Sequence, residues 1–240
     1  MSLLSVAGVT KRFGGITANK GISFDVAAGE LVGIIGPNGA GKSTLFECIS
    51  GFYHPDEGEV RLDGTRLTGL APDQVCRLGI GRTFQKLRPF QGLTVVDNVM
   101  VGALTRTKDV RHAREQARDI IARVGLGEKA DAHARTLSTG QRKRLELARA
   151  LATRPRVLLL DEVTGGVDQR TIPGLVQLVR EVHASGVTLL VIEHNMRVIT
   201  AMAQRIVALY LGEVIADGAP DAVARDHRVI EAYLGQAYRQ

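Results

Sequence analysis

Short apolar runs rich in β-branched residues recur along the chain and predict buried strands. Four of them are clear: LVGII at 31–35, VLLL at 157–160, TLLVI at 188–192 and RIVALY at 205–210. Their hydrophobicity is nearly continuous instead of alternating, which is typical of strands covered on both faces of a largely parallel sheet. Every one of these runs is too short to span a bilayer.

Helical periodicity separates two of these runs. After residue 171 apolar side chains recur at helical spacing, and the pattern stops at Gly186. The apolar face consists of Ile172, Leu175, Val176, Val179 and Val182. Strands and helices that alternate along a chain predict an α/β fold.

The middle of the chain has a different pattern. From about residue 89 to residue 154 the signals are mostly helical, and no linker rich in proline, glycine or serine bounds the stretch. One helical face consists of Ala113, Ala117, Ile120, Ile121 and Val124. We expect a helical subdomain inserted into the α/β core, within a single domain of residues 1–240.

Composition narrows the class of protein. The two cysteines, Cys48 and Cys76, fit neither a disulfide framework nor a metal-ligand spacing. A formal net charge of +6 could suit nucleic acid, but aromatic residues make up only 4% of the chain and tryptophan is absent. Because stacking platforms are then scarce, we expect no nucleic-acid partner. The N-terminus lacks the basic stretch of a signal peptide, which favours a cytoplasmic location.

A glycine-rich segment follows the first predicted strand. GPNGAGKST at 36–44 matches the phosphate-loop pattern G-x-x-x-x-G-K-[ST] and precedes a helical STLFECIS. Glycines let backbone N–H groups converge on phosphate oxygens, the lysine can bridge the β- and γ-phosphates, and the serine hydroxyl can ligate Mg²⁺. The expected nucleotide-binding residues are Gly36, Pro37, Asn38, Gly39, Ala40, Gly41, Lys42, Ser43 and Thr44.

Polar residues also follow the other strands. Asp161 and Glu162 come directly after VLLL, at the strand edge where α/β sheets bind ligands. We expect Asp161 to hold Mg²⁺ and Glu162 to polarise the attacking water. Gln85 ends GIGRTFQ and His194 follows TLLVIE. Both are expected near the γ-phosphate, and with Lys42 and Glu162 they form the predicted catalytic set.

A second helix opening lies about a hundred residues after the phosphate loop. LSTGQRKRLELARAL at 137–151 begins with small polar residues and continues as a basic, Leu/Ala-rich helix. Polar backbone at a helix N-terminus is a ready anion site. The sequence therefore contains two phosphate-binding openings.

The ordered set of phosphate loop, Gln85, LSTGQ, VLLLDE and His194 resembles the ATP-binding subunit of ABC transporters over essentially the whole chain. The resemblance implies a P-loop NTPase core with a mostly parallel sheet, an antiparallel β subdomain and an inserted helical subdomain. It also implies two subunits packed head to tail with two ATP molecules between them. The second opening would then bind the partner's γ-phosphate through Ser138, Gly140 and Gln141.

Further roles come from the same resemblance. Phe13 would stack on adenine, and Gln85 would ligate Mg²⁺ together with Ser43 and Asp161 and relay to the membrane subunits. Asp168 would belong to the loop that couples the two sites across the dimer. The chain departs from the family pattern at Thr139, where glycine is usual, and at Val163, where proline is usual. We expect these departures to affect turnover and loop rigidity.

Finer similarities concern the subfamily. RFGGITA, GRTFQKLRPFQGLTVVDNV and VIEAYLGQ resemble ATPase subunits of branched-chain amino acid uptake systems. GVD and EHNMR are similar to the ATPase of lipopolysaccharide export. Uptake is favoured and implies permease subunits, a substrate-binding protein and a place on the cytoplasmic face of the membrane. One alternative is the ATPase of the exporter. Another is a soluble ABC ATPase, but such proteins usually have two nucleotide domains or a coiled-coil insertion, and this sequence shows neither. A small-molecule kinase would leave LSTGQ unexplained.

Overall fold

The computed structural model describes residues 2–84 and 89–237. The chain divides into two compact units. The first consists of the residues up to Leu78 together with those from Thr188 onward, and the second of Gly79–Val187.

The elements up to the middle of the chain are β1 (Ser2–Phe13), β2 (Ile16–Ala27), β3 (Leu31–Ile35), α1 (Lys42–Ile49), β4 (Glu57–Leu62), β5 (Thr65–Arg66), α2 (Pro72–Leu78), β6 (Ile80–Arg82), α3 (Val95–Ala103) and α4 (Val110–Arg123). They continue with α5 (Thr139–Ala152), β7 (Val157–Asp161), α6 (Ile172–Ala184), β8 (Thr188–Ile192), α7 (Met196–Met202), β9 (Arg205–Tyr210), β10 (Glu213–Gly218), α8 (Pro220–Ala224) and α9 (His227–Ala237). Two short 3₁₀ turns lie at Gly127–Lys129 and Ala134–Thr136.

The first unit contains an antiparallel sheet in the order β2-β1-β4-β5. The pair β1 and β2 is in register at Val6 opposite Phe24, and the register shifts between Val6 and Val9. Gly8 lies at this shift with φ 63°, a conformation that favours glycine. Buried apolar side chains alternate with exposed ones along β2, so one face of this sheet is packed and the other is solvated.

The same unit contains strands in the order β10-β9-β3-β8. β3 runs parallel to both β8 and β9, and β10 is antiparallel to β9. Every residue of β3 and β8 is buried, as the continuous apolar runs predicted. A Cβ on Gly33 would lie 2.6 Å from the side chain of Ile199, so the absence of a side chain there lets α7 pack closely on β3.

The second unit combines the parallel strands β6 and β7 with helices. Helices α3, α4 and α5 pack against one another. Asn98, which is fully buried in α3, accepts the N–H of Phe90 and donates to the carbonyls of Phe90 and Thr94. This side chain ties the start of the helical stretch to α3.

The four predicted strands and the helix after residue 171 are confirmed, with bounds that differ by a residue at most. Of the two predicted helical faces, Ile172 and Val176 on α6 and Ile120 on α4 are only half-buried. On α6, Leu178 belongs to the buried face instead. Within residues 2–84 and 89–237 no helix has the length and hydrophobicity that crossing a membrane requires.

Candidate functional site

The phosphate loop joins β3 to α1 in the first unit, and its backbone is packed closely against neighbouring chain. Gly36 has φ 147°, and a Cβ there would lie 2.2 Å from the carbonyl oxygen of Leu209. Gly41 has φ 98°, and a Cβ there would lie 2.3 Å from the carbonyl oxygen of Ala18. Both positions therefore require glycine for conformation and for space.

Positive charge is concentrated at this loop. Lys42 is the first residue of α1 and only 6% exposed, and its Nζ donates to the carbonyls of Gly36 at 2.6 Å and Pro37 at 2.9 Å. Ser43 is exposed beside it, and the first turn of α1 has no acidic residue. Unpaired N–H groups at a helix N-terminus together with an ammonium group form an anion-binding site.

Three contacts from elsewhere in the first unit hold the loop. The N–H of Gly36 donates to the hydroxyl of Tyr233 on α9 at 2.9 Å. The Nδ2 of the fully buried Asn19 donates to the carbonyl of Gly41 at 3.0 Å. The N–H of Gly212, in the turn between β9 and β10, donates to the carbonyl of Ala40 at 3.2 Å. The loop is thus supported at both ends and near its centre.

Two further predicted residues lie in the first unit. Phe13 ends β1 with its ring 41% exposed, and the edge of Tyr53 contacts it at a centroid distance of 5.0 Å. An exposed ring of this kind can accept a stacked base. His194 is exposed just after β8, and β8 is in parallel register with β3 at Ile192 opposite Ile34. His194 and the phosphate loop therefore follow neighbouring strands at the same sheet edge.

In the second unit, Asp161 is the last residue of β7 and is buried. Its N–H donates to Thr83 Oγ1, and its Oδ2 lies 3.5 Å from the guanidinium of Arg82. Burial raises the pKa of Asp161, although the Arg82 charge opposes this shift. Oδ1 is buried with no hydrogen-bond partner among the described residues. A buried carboxylate oxygen without a donor fits a hard cation such as Mg²⁺, or a water bound to one.

Glu162 follows Asp161 with an unusual backbone. Its φ is 51°, in the left-handed region that non-glycine residues seldom adopt. Its carbonyl oxygen accepts two hydrogen bonds, from the N–H of Gly165 at 3.2 Å and from Lys143 Nζ at 2.5 Å. The bond from Lys143, which is 19 residues away, could not be predicted from local sequence. Backbone strain of this kind is often found at functional sites.

The second helix opening is capped by its own residues. Ser138 Oγ accepts the N–H of Gln141 at 3.3 Å, and the Gln141 side chain accepts the N–H of Ser138 at 3.0 Å. This capping box starts α5 and engages the side chain of Gln141. Ser138 and Thr139 remain exposed.

The segment of Asp168 packs against this opening. A Cβ on Gly140 would lie 2.7 Å from Cγ2 of Thr171, so only glycine fits there without a shift. Thr171 Oγ1 donates to Asp168 at 2.6 Å, and this bond lowers the pKa of Asp168. Gln85, in contrast, lies outside the described residues.

Known proteins resemble this chain over almost its whole length. A family model described as ABC transporter matches residues 19–165, and one described as branched-chain amino acid ATP-binding cassette transporter matches residues 213–239. The chain is 39% identical to the high-affinity branched-chain amino acid transport ATP-binding protein BraF of Pseudomonas aeruginosa, with 98% of both chains covered. It is 38% identical to the corresponding protein LivG of Escherichia coli, over the same share of both chains. The chain belongs to the ABC transporter family.

Solved ATP-binding cassettes have the same fold. The ADP conformation of the cassette MJ1267 is 32% identical, with a TM-score of 0.89 and coverage of 98% of this chain and 99% of that one. The cassette MJ0796, solved as a dimer with ADP and Pi in a post-hydrolysis state, is 30% identical with a TM-score of 0.82, covering 90% and 98%. The α/β fold class, the family and the ATPase activity expected from the sequence are confirmed.

Tyr233, Asn19 and Lys143 contact functional segments but were not predicted from the sequence. The segment VIEAYLGQ, which contains Tyr233, indicated only the subfamily. Nothing in the local sequence shows that the Tyr233 hydroxyl reaches Gly36, 197 residues away. Asn19 interrupts an otherwise alternating strand as a buried polar residue, which is a weak signal. Lys143 is indistinguishable in sequence from Arg142 and Arg144 beside it, which are only half-buried.

Lys42→Ala should abolish ATP hydrolysis and weaken ATP binding by about 10-fold or more, because charge-assisted hydrogen bonds contribute about 1.5–3 kcal/mol. Isothermal titration with ATP and a phosphate-release assay measure the two effects. Lys20→Ala is the matched control, since Lys20 is an exposed lysine of the same unit that pairs with Glu213 at 3.4 Å. Wild-type hydrolysis by a folded Lys42→Ala protein would show that the loop has another role.

Tyr233→Phe should raise the KM for ATP by about three- to tenfold and leave kcat nearly unchanged. The substitution leaves the buried N–H of Gly36 without its acceptor, at a cost of about 1 kcal/mol, while the residues of hydrolysis are untouched. The control is Tyr210→Phe, which removes a hydroxyl with no hydrogen-bond partner among the described residues. Equal KM values for the two variants would count against a role of α9 at the loop.

Proposed function

We propose that this cassette is the ATPase subunit of an importer for branched-chain amino acids or related amino acids and amides. The observation that carries this proposal is the match of residues 213–239 to the branched-chain amino acid cassette model. That segment lies outside residues 19–165, which match ABC transporters in general. It therefore supports a subfamily and not only the family.

The relatives support import over export. BraF and LivG are named as high-affinity branched-chain amino acid transport proteins, and MetN of Rhizobium etli, 38% identical over 88% of this chain, is named for methionine import. Amino acids are thus the common cargo class. The cargo itself does not touch this subunit, whose part is to supply energy.

The first unit supplies the residues that bind the base and the phosphates of ATP. The exposed ring of Phe13 stacks on adenine, and the backbone N–H groups of the phosphate loop together with Lys42 bind the phosphates. His194 contacts the γ-phosphate from the end of β8. Residues 1–240 act as one nucleotide-binding domain, with residues 89–154 as its helical subdomain.

Hydrolysis depends on Glu162. The Glu162 carboxylate accepts a proton from the water that attacks the γ-phosphorus, and the bond to the β–γ bridging oxygen breaks to release ADP and phosphate. Bound Mg²⁺ would be held by Ser43, Asp161 and Gln85 and would neutralise charge on the phosphate oxygens. The unpartnered Oδ1 of Asp161 supports this donor set.

A second cassette, of the same or a different chain, completes each site. The opening of α5 binds the γ-phosphate held by the partner, through the exposed Ser138 hydroxyl and the backbone at Gly140 and Gln141. The close packing of Gly140 on Thr171 links this opening to the segment of Asp168. A dimer of a similar cassette with ADP and Pi supports the arrangement.

Membrane subunits bind the helical part of the second unit. Phe90 and Leu93 are 44% and 41% exposed, and Val101 on α3 and Leu104 directly after this helix are exposed as well. The contact expected from the sequence at residues 85–90 lies largely outside the described residues. This exposed apolar surface supports a contact with a permease on the cytoplasmic face of the membrane, where a substrate-binding protein would deliver the cargo from the other side.

Glu162→Gln should keep ATP binding but reduce turnover by at least about 100-fold, because an amide cannot accept the proton of the water. With ATP the variant should accumulate as a dimer. Size-exclusion chromatography with and without ATP tests this, and the wild-type protein and Lys42→Ala serve as controls that do not trap. A Glu162→Gln protein that stays monomeric at high concentration with ATP would contradict the two-subunit site.

Deletion of the gene should reduce uptake of radiolabelled leucine, isoleucine and valine by the native cell. The wild-type gene should restore uptake, and the Glu162→Gln gene should not. Uptake of a sugar is the control. Unchanged uptake of these amino acids, with loss of another substrate, would reassign the cargo without affecting the ATPase.

A further inference from the structure

Lys143 is a buried cation whose position the proposed chemistry does not explain. It lies in α5 and is 9% exposed, and its Nζ donates to the carbonyl oxygen of Glu162. Burying an ammonium group is costly unless it is hydrogen-bonded. The neighbouring cations of α5 also reach backbone carbonyls, Arg142 that of Arg135 and Arg144 that of Val124. Among these three residues, only Lys143 contacts the peptide of Glu162.

The bond acts on a backbone that is already strained. Glu162 is held at φ 51°, and its carbonyl is fixed by Lys143 on one side and by the N–H of Gly165 on the other. A small rotation of this peptide changes the direction of the Glu162 side chain. Because a displacement of about 1 Å can cost a factor of about 100 in rate, the donor that fixes this peptide influences catalysis.

Lys143 also lies close to the helix opening. It is three residues after Gly140 in one continuous helix that runs from Thr139 to Ala152, so the two residues are on the same face. A helix moves as a rigid element over one turn. Any shift of the opening therefore moves the Lys143 stem and the carbonyl that it holds.

We propose that Lys143 is a positioning residue that couples the opening of α5 to Glu162. This rests on the proposed function, in which the opening binds the partner's γ-phosphate and Glu162 acts on the chain's own ATP. Binding of the partner's nucleotide then sets the geometry of Glu162 through Lys143. Each subunit thereby hydrolyses ATP efficiently only when its partner also holds ATP.

The test is steady-state ATPase activity of Lys143→Met, which removes the charge and keeps the apolar stem. We expect kcat to fall about 10- to 100-fold, ATP affinity to stay within about twofold, and the Hill coefficient for ATP to fall toward 1. Lys143→Arg should recover most of kcat, because a guanidinium can donate to the same carbonyl. Arg144→Met is the matched control, since it removes a cation-to-carbonyl bond from the next residue of the same helix.

Glu162→Gln separates this inference from the proposed function. If Glu162→Gln retains wild-type turnover, the proposed function is wrong. If Glu162→Gln is inactive while Lys143→Met has wild-type kcat and Hill coefficient, only the coupling role is wrong. Because Lys143 acts through Glu162, the double variant should turn over no more slowly than Glu162→Gln alone, and a further tenfold loss would contradict the inference. Should Lys143→Met fail to fold, the same comparison on Lys143→Gln decides.

Discussion

Parallel pairing of β3 with β8 and β9 is the constraint on which the phosphate-binding half of the cassette depends. Parallel strands bring their carboxyl ends to one edge, so the segments that follow them become neighbours. The phosphate loop follows β3, His194 follows β8, and the turn containing Gly212 follows β9. The bond from Gly212 to Ala40 shows that this turn supports the loop directly. Since all residues of β3 and β8 are buried, the edge is held by a packed core.

The phosphate loop also requires that its backbone approach the backbone of neighbouring segments closely. Gly36 and Gly41 lie against carbonyl oxygens at distances that leave no room for a Cβ. The loop is consequently positioned by the surrounding backbone as well as by its own Lys42 side chain. Tyr233 adds a support from α9, which gives the C-terminal segment a physical connection to the nucleotide site.

The second unit contains buried charged groups of its own, among them Asp161 and Lys143. Asp161 is paired with Arg82 at 3.5 Å, but its Oδ1 has no hydrogen-bond partner within residues 2–84 and 89–237, a state that costs stability in a dry interior. Lys143 is also buried, and its Nζ donates to the carbonyl of Glu162, the strained residue that follows Asp161. Buried charges and a strained backbone of this kind cluster at functional sites. In the proposed function, helix α5 serves two sites: its first turn would bind the partner's γ-phosphate, and Lys143 in its next turn holds Glu162.

The sequence by itself determined the features that are encoded locally. Strands buried on both faces have continuous apolar runs, the phosphate loop is a contiguous pattern of glycines before a lysine, and the capping box of Ser138 and Gln141 spans three residues. The N-terminal strands β1 and β2 were not located individually: the register shift near Gly8 interrupts the alternation of β1, and the buried polar Asn19 interrupts that of β2. Only the tertiary structure decided that Tyr233 supports Gly36, that Lys143 holds Glu162 and that Thr171 packs on Gly140. The physical reason is separation along the chain. Local periodicity indicates which face of an element is buried. The bonds of Lys143 to Glu162 and of Gly36 to Tyr233 join residues 19 and 197 positions apart, and they exist only once the core has brought their elements together.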